Sequence, residues 1–151
     1  MHSPRSANMD NNKVLVMDDE PHVLDWLSDY LAEKGYECTF ARNVAEAVEQ
    51  LRTSTFRMLI LDLNVPAPGE YGTAIKAKGD LFTVYRGLYV AEMARGMGYR
   101  GRQVIVYSVH DVDEVRTQTD RMSVSYVTKG RPRSFKKEID DVLSFNPTSN
   151  R

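Results

Sequence analysis

Four short apolar runs punctuate the chain: Val14-Leu15-Val16-Met17, Met58-Leu59-Ile60-Leu61, Val104-Ile105-Val106-Tyr107 and Val124-Ser125-Tyr126-Val127. The segments between them have helical period, and that alternation predicts βαβ units stacked around a parallel sheet. The first helix is predicted to begin near Pro21, to bury Leu24, Leu27 and Leu31, and to stop at Gly35. A second strand is expected over residues 37–41. Asn43 with Glu46 three residues later resembles a capping box and opens a helix that buries Val44, Ala47, Val48 and Leu51. A third helix over residues 88–97 should bury Val90, Met93 and Ala94, and the last, over residues 133–143, Phe135, Ile139, Val142 and Leu143. The fourth, over residues 111–122, is rich in Thr, Asp and Arg. With only Val112, Val115 and Met122 as apolar contacts, it should pack shallowly and be the least stable.

A length of 151 residues suits one domain. Twenty basic against 21 acidic side chains leave a net charge of -1, so no global field favours nucleic acid or an anionic membrane. Cys38 is the single cysteine, which excludes an internal disulfide, and no apolar stretch approaches the roughly 18 residues of a membrane span. A reducing cytoplasm is the expected compartment. Residues 1–12 are polar and lack the apolar middle of a secretion signal, so they are expected to be a disordered lead or an appended remnant. The domain is expected over residues 13–145, with a disordered tail at 146–151. There is no internal repeat and no low-complexity tract.

Each apolar run is followed at once by residues able to hold a cation or a phosphate: Asp18-Asp19, Asp62, Ser108 and Lys129. If the runs are neighbouring strands, these groups converge at the carboxyl edge of the sheet, where open α/β folds build their sites. Three carboxylates in a small space repel one another unless a cation joins them, and hard oxygen ligands in a partly open site suit Mg²⁺. Taken alone, Asp18-Asp19 serves equally well as a cap on the following helix. Ser108 alone reads as a strand-end hydroxyl and Lys129 alone as a solvated loop lysine. Their order along the chain favours a site.

That order and spacing resemble the receiver domain of bacterial two-component response regulators, over about residues 13–143. Lys13-Val-Leu-Val-Met-Asp-Asp-Glu-Pro21 is similar to the family's opening strand and acidic pair, Leu61-Asp-Leu-Asn-Val-Pro66 to the stretch around its phosphorylated aspartate, and Tyr126-Val-Thr-Lys129 to its closing strand. The resemblance implies a flavodoxin-like (βα)5 doubly wound parallel sheet in the order 2-1-3-4-5. It implies that Asp62 is the phosphoacceptor, that Asp19, Asp62 and the Asn64 backbone carbonyl bind Mg²⁺ directly, and that Asp18 acts through a metal-bound water. Ser108 and Lys129 would hold phosphoryl oxygens, and Ser108 with Tyr126 would form the switch. Tyr126 read from its strand alone is a core aromatic. The implied protein is a signalling domain that assists its own phosphorylation and dephosphorylation and is not an enzyme in the usual sense. The implied phosphodonor is a sensor histidine kinase or a histidine phosphotransfer protein. With so few residues after Asn146, the resemblance suggests a stand-alone regulator, a monomer or weak homodimer. Its output would pass through the face of the fourth helix, last strand and last helix, with neither nucleic acid nor membrane bound directly. A degenerate receiver that binds partners without phosphorylation is the alternative.

Three departures bear on this reading. About twenty residues separate Pro66 from Gly87, where the family needs only a few. Within this 67–86 insertion, residues 73–78 and 81–86 alternate in polarity around Gly79-Asp80, which predicts a β-hairpin with a type II′ turn in preference to a plain surface loop. Such a hairpin would shield the site or dock a partner, with Lys76 and Lys78 adding positive charge. Lys129 is followed by Gly130 in place of the usual Pro, which frees the next loop, and the β-branched Val109 narrows the approach to the phosphate. Two competing motifs fail on context. Gly96-Met-Gly-Tyr-Arg-Gly101 matches a dinucleotide fingerprint but follows a helix and precedes a strand, so it is read as a helix-ending turn. Asp62-Leu-Asn64 resembles haloacid-dehalogenase phosphatases but lacks their second Asp. His2, His22 and His110 are too scattered for a metal site.

Overall fold

The computed structural model of the chain describes residues 11–20, 24–129 and 132–144. The predictions for Pro21, His2, His22, Gly130, most of the lead and the tail from 145 on lie outside the described residues. Five strands, β1 (Lys13–Met17), β2 (Glu37–Ala41), β3 (Met58–Asp62), β4 (Val104–Ser108) and β5 (Ser125–Thr128), form one sheet in the order β2-β1-β3-β4-β5. Every pairing is parallel. The central strands β3 and β4 are buried along their whole length, whereas β2 and β5 at the edges are only partly covered. Uninterrupted apolar runs mark β3 and β4 because both of their faces are covered, whereas the edge strands mix polar residues among apolar ones.

The period-two alternation of strand side chains divides the core into two layers. Leu15, Met17, Leu59, Leu61, Val104 and Val106 face α2 (Val44–Thr53), α5 (Gly87–Gly96) and α6 (Asp113–Met122). Val14, Val16, Met58, Ile60, Ile105 and Tyr107 face α1 (Asp25–Glu33) and α7 (Pro132–Leu143). The predicted helix faces are the buried ones, except that Met93, Met122, Val112 and Leu143 pack only partly buried at the margins. Asn43 caps α2 by accepting from the Glu46 N–H at 2.9 Å, while Glu46 reaches back one residue beyond the cap, to the Arg42 N–H at 2.8 Å. Gly98, at φ 107°, ends α5 in a Schellman motif: the Tyr99 N–H donates to Ala94 and the Gly98 N–H to Arg95. The glycine-rich run is thus a helix stop. Helix α6 buries only Val115 and Thr119, as its composition implies.

The insertion is not a β-hairpin. It forms two short helices, α3 (Glu70–Lys76) and α4 (Asp80–Val84), with Gly79 at φ 113° between them. The i to i+4 bonds from Ala77 N–H to Thr73 and from Tyr85 N–H to Leu81 replace the cross-strand ladder. The physical reason is that the apolar positions also satisfy helical spacing. Tyr71 with Ile75, and Leu81 with Tyr85, are i, i+4 pairs that lay Ile75 and Phe82 into the α2–α5–α6 layer. Tyr71 meets the Tyr89 ring edge-on, and Lys78 pairs with Glu92 of α5. Lys78 therefore belongs to this docking contact.

Candidate functional site

Parallel pairing with Met17 opposite Leu61 brings the carboxyl ends of β1 and β3 together. Asp18 follows β1 and Asp62 closes β3, and one carboxylate oxygen from each of Asp18, Asp19 and Asp62 lies within 4.8 Å of the other two. Asp18 and Asp62 are only 1% and 2% exposed, while Asp19 faces solvent. Each buried carboxylate spends one oxygen on folding the chain after its strand. Asp18 Oδ1 accepts from the Glu20 N–H at 2.8 Å, and Asp62 Oδ1 from the Asn64 N–H at 3.0 Å, both local turns of the Asx type. Their Oδ2 atoms are left to the site.

Lys129 supplies the cation between them. Its N–H donates to the Ser108 carbonyl at 2.7 Å, anchoring the end of β5 to β4, and its Nζ lies 3.0 Å from Asp62 Oδ2 and 3.5 Å from Asp18 Oδ2. Two buried carboxylates thus share one ammonium. Burial pushes the Asp62 carboxyl up to about 6, against the pull of the Asn64 N–H and of Lys129, and the neighbouring Asp18 charge adds to the rise. A surplus of negative charge on hard oxygens, with one carboxylate open to water, fits a divalent cation that keeps part of its hydration.

Ser108 is fully buried at the end of β4, beside β3, and its Oγ accepts from the His110 N–H at 3.3 Å. Tyr126 does not reach the carboxylates. Its hydroxyl donates to the His110 carbonyl at 2.7 Å and accepts from the Val112 N–H at 3.2 Å, and Arg116 lies 4.8 Å over its ring. The β4–α6 loop is therefore tied to β5 by one side chain.

Two residues matter here that sequence reasoning did not single out. Tyr107, read as the end of an apolar run, is completely buried, yet its hydroxyl donates to Asp18 Oδ2 at 2.6 Å. Burial and the adjacent Asp18 charge push the phenol pKa well above its ordinary value, so it is a donor at neutral pH. The available signal was a tyrosine in a central strand, whose hydroxyl must find a partner. Gly87, noted only as the far end of the insertion, begins α5 against the backbone of the site. A Cβ there would lie 2.2 Å from the Asp62 carbonyl oxygen and 2.8 Å from Leu63 Cα. Gly87→Ala is expected to destabilise the fold by about 1–3 kcal/mol, the usual range for overpacking, and urea unfolding checks it.

These features can be set beside known proteins. A family model described as the response regulator receiver domain matches residues 14–75. No curated protein matches the chain. Among solved structures, a CheY-like response regulator receiver domain protein from Methanospirillum hungatei JF-1 is similar with TM-score 0.70 at 18% identity, covering 93% of this chain and 99% of that one. The response regulator TrrA from Thermotoga maritima, solved in complex with Mg(2+)-BeF, has TM-score 0.64 at 24% identity and covers 87% of this chain and 99% of that one. The receiver domain of Francisella response regulator 1452 gives 0.66 at 21%, covering 93% and 100%. The shared fold is the five-stranded order found here. Among the described residues no helix is long and apolar enough to cross a membrane.

Proposed function

We propose that the chain carries a response regulator receiver domain, as the family model over residues 14–75 supports, and that Asp62 accepts a phosphoryl group from a phosphohistidine, on a histidine kinase or phosphotransfer protein, in a Mg²⁺-dependent reaction. The observation that carries this reading is the meeting of Asp18, Asp19 and Asp62 within 4.8 Å, with the Lys129 ammonium 3.0 Å from Asp62. An Asp62 carboxylate oxygen attacks phosphorus, the P–N bond breaks, and its electron pair returns to the imidazole, which takes a proton from solvent. The product is an acyl phosphate. Asp19, Asp62 and the Asn64 carbonyl would hold the metal, with Asp18 contributing through water. Mg²⁺ held by these residues would offset negative charge on the attacking carboxylate and on the arriving phosphoryl oxygens. Lys129 ion-pairs with one phosphoryl oxygen and Ser108 donates to another.

Output follows from the loop between β4 and α6. When Ser108 turns to the phosphoryl group it pulls on His110, to which it is bonded, and loosens the two bonds that tether Tyr126. The ring is then free to swing inward, and the thin packing of α6 permits a population shift across the α6–β5–α7 face, where a partner protein docks. Incubation with Mg²⁺ and acetyl phosphate tests the core of this reading. The expected result is an acid-stable, base-labile phosphoryl group on the wild type and none on Asp62→Asn. Absence of that group, together with no response to beryllofluoride, identifies a phosphorylation-independent binding module instead.

A further inference from the structure

Tyr107 touches groups on both flanks of Asp62. Its hydroxyl donates to Asp18 Oδ2 at 2.6 Å, and its ring carries the Lys129 ammonium 4.8 Å from the centroid. The Phe135 ring of α7 packs against it at 5.4 Å, and with no exposed surface the tyrosine cannot turn away without opening the α1–α7 layer. Asp18 is held just as firmly, since its other oxygen is bonded to the Glu20 N–H at 2.8 Å. The Asp18 carboxylate is thereby left with one orientation.

We propose that Tyr107 is a positioning residue of the site: its hydroxyl fixes Asp18 for the cation while its ring fixes the Lys129 ammonium for the phosphoryl group. The proposal rests on the reading of Asp18, Asp19 and Asp62 as a Mg²⁺ site and deepens it. Without the phenol, Asp18 Oδ2 keeps, among the described residues, only Lys129, at 3.5 Å, as a partner. The carboxylate then turns toward the ammonium and away from the cation. Asp18 meets the cation through water, and outer-shell partners of a metal site are commonly worth about 10–100-fold in affinity, so the phenol behind Asp18 belongs at the low end of that range. The ring contributes separately, because a cation over an aromatic face is held without a hydrogen bond.

Tyr107→Phe separates the two roles, since it removes the hydroxyl and keeps the ring. Mg²⁺ binding by calorimetry on the full chain should weaken about tenfold in Tyr107→Phe. In an Asp18→Ala background the same substitution should change nothing, since the hydroxyl acts through Asp18. At saturating Mg²⁺, beryllofluoride binding followed by ¹⁹F NMR should survive in Tyr107→Phe, since Lys129 keeps its platform. Mg²⁺ affinity in Tyr107→Phe within about twofold of wild type, or a loss that persists without Asp18, overturns the role of the hydroxyl. Loss of the beryllofluoride signal at saturating Mg²⁺ overturns the role of the ring. A wild-type chain that binds no Mg²⁺ overturns the metal reading itself and removes the ground for both, an outcome distinct from a wild type that binds and a variant that matches it.

Discussion

Asp62→Asn should yield a protein that takes up no phosphoryl group and yet, in the absence of metal, is more stable than the wild type at pH 8. The loss follows from the nucleophile: an amide at this position cannot form an acyl phosphate. The gain follows from burial. Asp62 is 2% exposed and shares one ammonium with Asp18, and its carboxyl titrates at about 6 in the folded protein against 3.8 for a free side chain. A raised carboxyl pKa means the folded state holds the proton more tightly than the unfolded state. The favourable contribution is complete below about pH 4, where both states are protonated, and is lost as pH rises through 6. Two pH units at 1.36 kcal/mol each place the full difference at roughly 3 kcal/mol, as an upper bound. Asn cannot ionise, so its advantage should be near zero at pH 4 and reach a plateau above pH 6. Urea unfolding in EDTA at pH 4.5 and pH 8 measures this. Equal stability at pH 8, or a gap that does not narrow toward pH 4.5, would falsify the placement of Asp62 as a strained buried anion. Added Mg²⁺ should reverse the order, because a ligand bound by the wild type stabilises it by mass action.

The same crowding explains why so much of the site was legible in the sequence. Strand ends in a parallel sheet are adjacent by topology, so Asp18, Asp62, Ser108 and Lys129 needed only the order of the strands to be placed at one edge. Uninterrupted apolar runs identified β3 and β4 because both of their faces are covered, and Asn43 announced α2 because cap chemistry is local. The insertion departs from its sequence pattern for a matching reason. Ile75 and Ala77 against Phe82 and Val84 satisfy period two, yet Tyr71 with Ile75 and Leu81 with Tyr85 satisfy period 3.6. Over arms of five to seven residues the two periods are not separable by pattern, and the docking of Ile75 and Phe82 under α5 decides between them. Tyr107 escaped because its ring belongs to the core and only its last atom belongs to the site. Periodicity reports the ring and says nothing of the hydroxyl.

Lys129→Met should slow phosphoryl loading by about 10²–10³-fold, in line with removal of a preorganised charge-stabilising donor, while leaving Mg²⁺ affinity unchanged or tighter. The opposite signs come from one geometry. The Lys129 ammonium lies 3.0 Å from Asp62 and 3.5 Å from Asp18, so before the phosphoryl group arrives it competes with a cation for the same oxygens. Its removal returns those oxygens to the metal. During transfer the balance inverts, because the incoming phosphoryl group brings more negative charge than the cation alone offsets, and a fixed ammonium in a site of low exposure meets it without reorganisation. Methionine keeps an unbranched stem that can lie against the Tyr107 ring, so packing is largely preserved. In metal-free solution the variant should be less stable by about 3 kcal/mol or more at pH 8, since two buried carboxylates lose their shared counter-charge, and lower pH should narrow the deficit as Asp62 takes up a proton. Loading kinetics with acetyl phosphate, read beside Mg²⁺ calorimetry on the same variant, separate the two effects. A parallel loss of Mg²⁺ affinity and loading rate would place Lys129 in support of the metal and remove it from the phosphate.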